Sequence, residues 1–85
     1  MSVLKINRME KINNILNKRL LKINDIYDNY KFGLITRQQK EDVKKELLKS
    51  DFIDEVYNKN NKITGYKINK ERTDEFREWL INNFE

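Results

Sequence analysis

The sequence predicts a small α+β domain built as helix, helix, β-hairpin, helix. Three observations carry this prediction. Apolar residues recur at helical spacing through the first third of the chain, alternate with polar residues between positions 52 and 69, and return to helical spacing in the last fifteen residues. With 85 residues the chain is too short for a second hydrophobic core, so residues 1–85 form one domain.

The first element is a long helix over about residues 7–31. Met9, Ile12, Leu16, Ile23, Ile26 and Tyr30 stand at spacings of 3, 4, 7, 3 and 4, and Ile15, Leu20 and Tyr27 widen the stripe. Gly33 suits the left-handed residue that ends such a helix. Two readings of the stripe stand side by side. In one the helix packs into its own domain. In the other it pairs with a second copy as a homodimer, with Met9, Ile12, Leu16, Ile23 and Ile26 in the interface and Arg19 as a polar residue in the seam.

A second helix is expected within residues 36–50. Thr36 followed by Gln39 matches the capping box that starts a helix, and Val43, Leu47 and Leu48 form its apolar face. Gly33 and Leu34 leave room for only a tight corner between the two helices. Residues 52–69 then read as a hairpin. Phe52 to Tyr57 forms one strand, the Asn/Lys cluster 58–62 the turn, and Ile63 to Asn69 the return strand with Thr64, Tyr66 and Ile68 on one face. Asn69 is a suitable N-cap for a last helix over 70–84, where Phe76, Trp79, Leu80 and Phe84 make a core stripe.

Composition excludes several functions. The absence of Cys and His removes disulfides, thiolate nucleophiles, imidazole metal ligands and histidine acid–base catalysis. The two serines, Ser2 and Ser50, have no suitable base beside them, and the two glycines stand alone, so no phosphate-binding loop is present. Asp51, Asp54 and Glu55 lack the spacing of a known cation loop. We therefore expect no enzyme, no metal and no cofactor. The apolar runs are too short to span a membrane, so a cytoplasmic protein is expected. Lys (13), Asn (12) and Ile (10) have AT-rich codons, which points to an AT-rich bacterium or one of its phages or plasmids.

Charge is segmented. The net charge is +4, made of +4 in residues 1–31, +2 in 32–50, −3 in 51–57, +4 in 58–70 and −3 in 71–85. Basic elements followed by an acidic end suggest a polyanionic partner.

The stretch Leu47–Ile53, continuing through Tyr66-Lys67-Ile68-Asn69 to Phe76-Arg77-Glu78-Trp79-Leu80, resembles the back half of winged-helix regulators of the ArsR and MarR type, over about residues 36–82. In those groups a recognition helix ends in a leucine-rich turn, then come a strand, a charged wing, a return strand and a closing helix. The resemblance implies a small winged-helix-like domain, with 36–50 as recognition helix and 52–69 as wing. Those groups also carry a short helix before the recognition helix. Here Ile23–Tyr30 would supply it after a kink, or the motif is degenerate. Their metal-sensing Cys and His are absent and are not carried over. A second resemblance, of Ile26–Leu48 around Gly33-Leu34-Ile35-Thr36, is to the SHOCT module, a helical interaction hairpin.

On the winged-helix reading, the second helix offers Arg37, Gln38, Lys40 and Lys44 to the major groove. Arg37 suits guanine and Gln38 suits adenine. The wing offers Lys59 and Lys62 to phosphates, with Asn60 and Asn61 as adaptable donors. The expected function is non-catalytic binding of double-stranded DNA, as a regulator or accessory factor of a phage, plasmid or other mobile element. The alternative is a small protein-binding module, such as a phage-encoded inhibitor of a host or defence protein. Convergence of Arg37, Lys40, Lys59 and Lys62 on one face favours DNA, whereas an exposed apolar patch favours a protein partner.

Overall fold

The computed structural model describes residues 3–30 and 36–84, with side chains from residue 8 onward. The elements in chain order are α1 (Val3–Leu16), α2 (Ile23–Tyr27), α3 (Arg37–Lys49), β1 (Ile53–Tyr57), β2 (Ile63–Ile68), a 3₁₀ turn (Lys70–Arg72) and α4 (Thr73–Asn83). This is a winged-helix-like α+β domain, with the hairpin as its wing. The tight corner expected at Gly33 and Leu34 lies outside the described residues, as does the Gly33-Leu34-Ile35 part of the SHOCT-like stretch.

The expected helix over 7–31 is two helices. α1 ends at Leu16, where the amide of Lys18 already bonds back three residues to the Ile15 carbonyl (3.2 Å). The chain then extends, and Leu21 exchanges both backbone hydrogen bonds with Tyr66 of β2, at 2.8 and 2.7 Å. The physical reason is the free edge of β2. A continuous helix would leave the buried Tyr66 N–H and C=O without partners and would put Arg19 in the apolar seam. The periodicity concealed the break because Leu16 and Ile23 are seven residues apart and so keep one phase across it. α2 is thus a short helix between α1 and α3, restarting where the Lys22 N–H donates to Asp25 Oδ2 (3.2 Å).

The same fold takes two of the expected seam residues into the chain's own core. Ile12 and Ile26 are fully buried inside the chain, and Met9, Leu16 and Ile23 pack half-buried against that core. Ile15, Leu21, Leu47, Ile53, Phe76, Leu80 and Phe84 complete the most deeply buried set. Phe52 stacks on Phe76 at 5.4 Å between ring centroids. Trp79, expected in the core, is half-buried instead and donates its indole N–H to Glu46 Oε1 (3.2 Å).

The second helix starts as expected. Thr36 Oγ1 accepts from the Gln39 amide (3.1 Å), and Gln39 Oε1 accepts from the Thr36 amide (2.7 Å). α3 leaves through Asp51, whose φ of 59° is the left-handed turn that reverses the chain into β1. β1 and β2 pair antiparallel from Ile53↔Ile68 to Tyr57↔Ile63, with a bulge at Val56/Tyr57. Gly65 permits the third, one-residue strand to lie down. A Cβ there would stand 2.6 Å from Leu20 Cγ and Cδ1 and 3.0 Å from the Leu21 carbonyl oxygen. Asn69 caps the 3₁₀ turn, accepting from the Glu71 amide at 3.1 Å, and α4 follows from Thr73. No helix among the described residues is long and apolar enough to cross a membrane.

Candidate nucleic-acid interface

The outer face of α3 carries Arg37, Gln38, Lys40 and Lys44. The first three are exposed and Lys44 is half-exposed. The helix is held from below by Tyr27 of α2, whose hydroxyl donates to the Lys40 carbonyl (2.9 Å). Lys40 Nζ in turn lies 5.6 Å from the centroid of the Tyr27 ring. Burial pushes the Tyr27 hydroxyl up to about 12, helped by nearby Tyr66 and Glu41, so it remains a donor throughout the physiological range.

Two shallow concavities meet on this face. One is lined by Ile23, Tyr27, Arg37, Lys40, Glu41 and Lys44. The other is lined by Lys22, Ile23, Asn24, Lys44, Ile63, Thr64, Gly65 and Tyr66. Ile23 and Lys44 belong to both, so a single trough runs from the start of α3, across the start of α2, to the wing stem. Four cations line it against one acid, Glu41. Lys22 was legible only as one member of a basic stretch. Its ammonium donates to the Thr64 carbonyl, which fixes the start of α2 against the wing strand.

The wing tip is organised by Asn58. Its Oδ1 accepts from the amides of Asn60 (2.8 Å) and Lys62 (3.1 Å), and its own amide donates to the Lys62 carbonyl (2.9 Å). Asn61 takes the left-handed conformation at φ 60°, which is a turn-forming role. Lys59, Asn60, Asn61 and Lys62 are all exposed, and Lys62 directly precedes Ile63 at the end of the trough. Among the described residues, none of Arg37, Lys40, Lys44, Lys59 and Lys62 is held in an ion pair.

The structure thus brings Arg37, Lys40 and Lys44 together with Lys22, and sets the wing at the trough's far end. Gln38 differs from expectation in one respect. Its side-chain amide donates to Asp42 Oδ1 on its own helix (3.0 Å), so it must leave that bond to read a base. Asn58 and Tyr27 were missed as site residues because one reads as a turn residue and the other as part of the apolar stripe. Among the described residues no group of three or more acidic side chains is placed to hold a metal ion. In comparisons with family models, curated proteins and solved structures, nothing matches this chain.

Proposed function

We propose that the chain binds double-stranded DNA without catalysis, in the cytoplasm of an AT-rich bacterium, as a regulator or accessory factor of a phage, plasmid or other mobile element. The single observation that carries the reading is the continuous cationic trough formed by Arg37, Lys40, Lys44 and Lys22, which ends at the stem of a lysine-bearing wing. α3 enters the major groove by its first turns. Arg37 then reads a guanine edge, Lys40 and Lys44 neutralise phosphates, and Lys59 and Lys62 follow the backbone. The opposite charge of residues 71–85 keeps the remainder of the surface from competing for the same polyanion.

The test is fluorescence anisotropy with a duplex of about 30 base pairs at two salt concentrations. Binding should fall steeply with salt, by a slope of roughly 0.9 per neutralised phosphate. Lys59→Ala/Lys62→Ala should weaken all sequences alike, and Arg37→Ala should relax discrimination between sites. Absence of binding at low salt refutes the reading.

One observation favours a second reading. Leu20, Tyr57 and Ile63 are exposed at 39, 54 and 42% around the wing stem. Leu20 lies over Gly65, while Tyr57 and Ile63 pair across the hairpin. An apolar cluster there suits a protein partner, as in an inhibitor of a host or defence protein. Leu20→Ser/Tyr57→Ser separates the two readings, because it breaks up that cluster at residues that do not line the trough.

A further inference from the structure

On another part of the surface, the end of α1, the base of β2 and the 3₁₀ turn enclose a recess of about 440 Å³ lined by Leu16, Asn17, Lys18, Arg19, Lys67, Ile68, Lys70 and Thr73. It is more enclosed than either concavity of the α3 trough and shares no residue with them. Three separate segments of chain deliver four cations to it, and no acid lines it. Lys18 is partly committed, 3.5 Å from Asp25 Oδ2. Among the described residues Arg19, Lys67 and Lys70 have no ion-pair partner. Asp54 and Glu71 line the adjoining concavity, which shares Lys67 and Lys70 with the recess.

We propose that this recess binds a phosphate ester of nucleotide size. Of the four cations only Lys18 is ion-paired among the described residues, so their mutual repulsion is largely uncompensated, and a phosphate dianion relieves it with hydrogen bonds from the Arg19 guanidinium and the lysine ammonium groups. Leu16 and Ile68 give the recess an apolar floor, which suits a ring attached to the phosphate. The volume falls within the range of roughly 300–1,000 Å³ typical of small-ligand sites. A second duplex fits less well, because its backbone lies across open surface and this recess is half-closed. The proposal is independent of the DNA reading, since the trough and the recess have no side chain in common.

The experiment is a backbone-amide NMR titration of the full chain with adenosine 5′-monophosphate, inorganic phosphate and adenosine, repeated with Arg19→Ala/Lys70→Ala. Both mutated residues are exposed, so the variant should fold. Its amide spectrum, unchanged away from the recess, establishes that it does. The expected result is saturable shifts confined to residues 16–19 and 67–73 with the nucleotide, weaker shifts with inorganic phosphate, none with adenosine, and at least a tenfold loss of affinity in the variant. Absence of saturation at millimolar nucleotide, or shifts confined to α3 and the wing, overturns it. A DNA duplex that shifts the recess amides while the nucleotide does not also overturns it, and assigns the recess to a second nucleic-acid contact.

Discussion

Tyr27 joins the interior to the proposed reading surface through one hydroxyl. Replacing it by Phe keeps the ring in the core and removes the bond to the Lys40 carbonyl. A loss of about 1 kcal/mol in urea unfolding is expected, together with weaker DNA binding because α3 loses its anchor. The pH dependence has a definite sign. The unfolded chain releases this proton near 10.0 and the folded chain only at about 12, so the stabilisation is complete below pH 10 and is lost as pH rises toward 12. Tyr30, Tyr57 and Tyr66 are raised as well, so Tyr27→Phe should make the alkaline loss of stability shallower without abolishing it. Asp51 offers the opposite test. At φ 59° a side chain is strained and glycine is not, so Asp51→Gly should stabilise the protein by roughly 0.5–1 kcal/mol, read as a higher melting temperature.

At the scale of elements, the segment 17–22 decides the architecture. Gly65→Val drives Cβ into Leu20 and toward the Leu21 carbonyl, and should cost about 1–3 kcal/mol. The accompanying sign is faster hydrogen exchange at the Leu21 and Tyr66 amides, with the β1–β2 ladder left protected. Elements with local signals were legible in the sequence. The Thr36–Gln39 box marked the start of α3, alternation through Thr64, Tyr66 and Ile68 marked β2, and the Asn-rich cluster marked the turn. The break between α1 and α2 was not legible. Its cause is a hydrogen-bonding edge far along the chain, and no pattern within residues 9–30 encodes that edge. The candidate site divides in the same way. Arg37, Lys40 and Lys44 were named on the winged-helix reading of the second helix, whereas Lys22 joins them only because the break in the helix turns the start of α2 toward the wing.

For the molecule as a whole, Ile12 and Ile26 serve the core of the chain itself. Ile12→Ala or Ile26→Ala should therefore cost about 2–5 kcal/mol of stability, and sedimentation of the folded fraction should show no change in oligomeric state. If either substitution instead dissociated a dimer of otherwise unchanged stability, the intramolecular assignment would fail.

The pairing of Leu21 with Tyr66 also bears on how fast the chain assembles and comes apart. The hairpin closes over a five-residue turn, whereas the Leu21 bridge joins segments on either side of α2, α3 and β1. Loop-closure entropy disfavours such a long-range contact until the elements between have docked. The bridge then belongs to the late side of the folding barrier. Leu21→Ala should mainly accelerate unfolding in a chevron experiment and leave the refolding limb almost unmoved. The start of α2 follows directly on that bridge, so the proposed DNA-binding trough would be the last surface to form and the first to open.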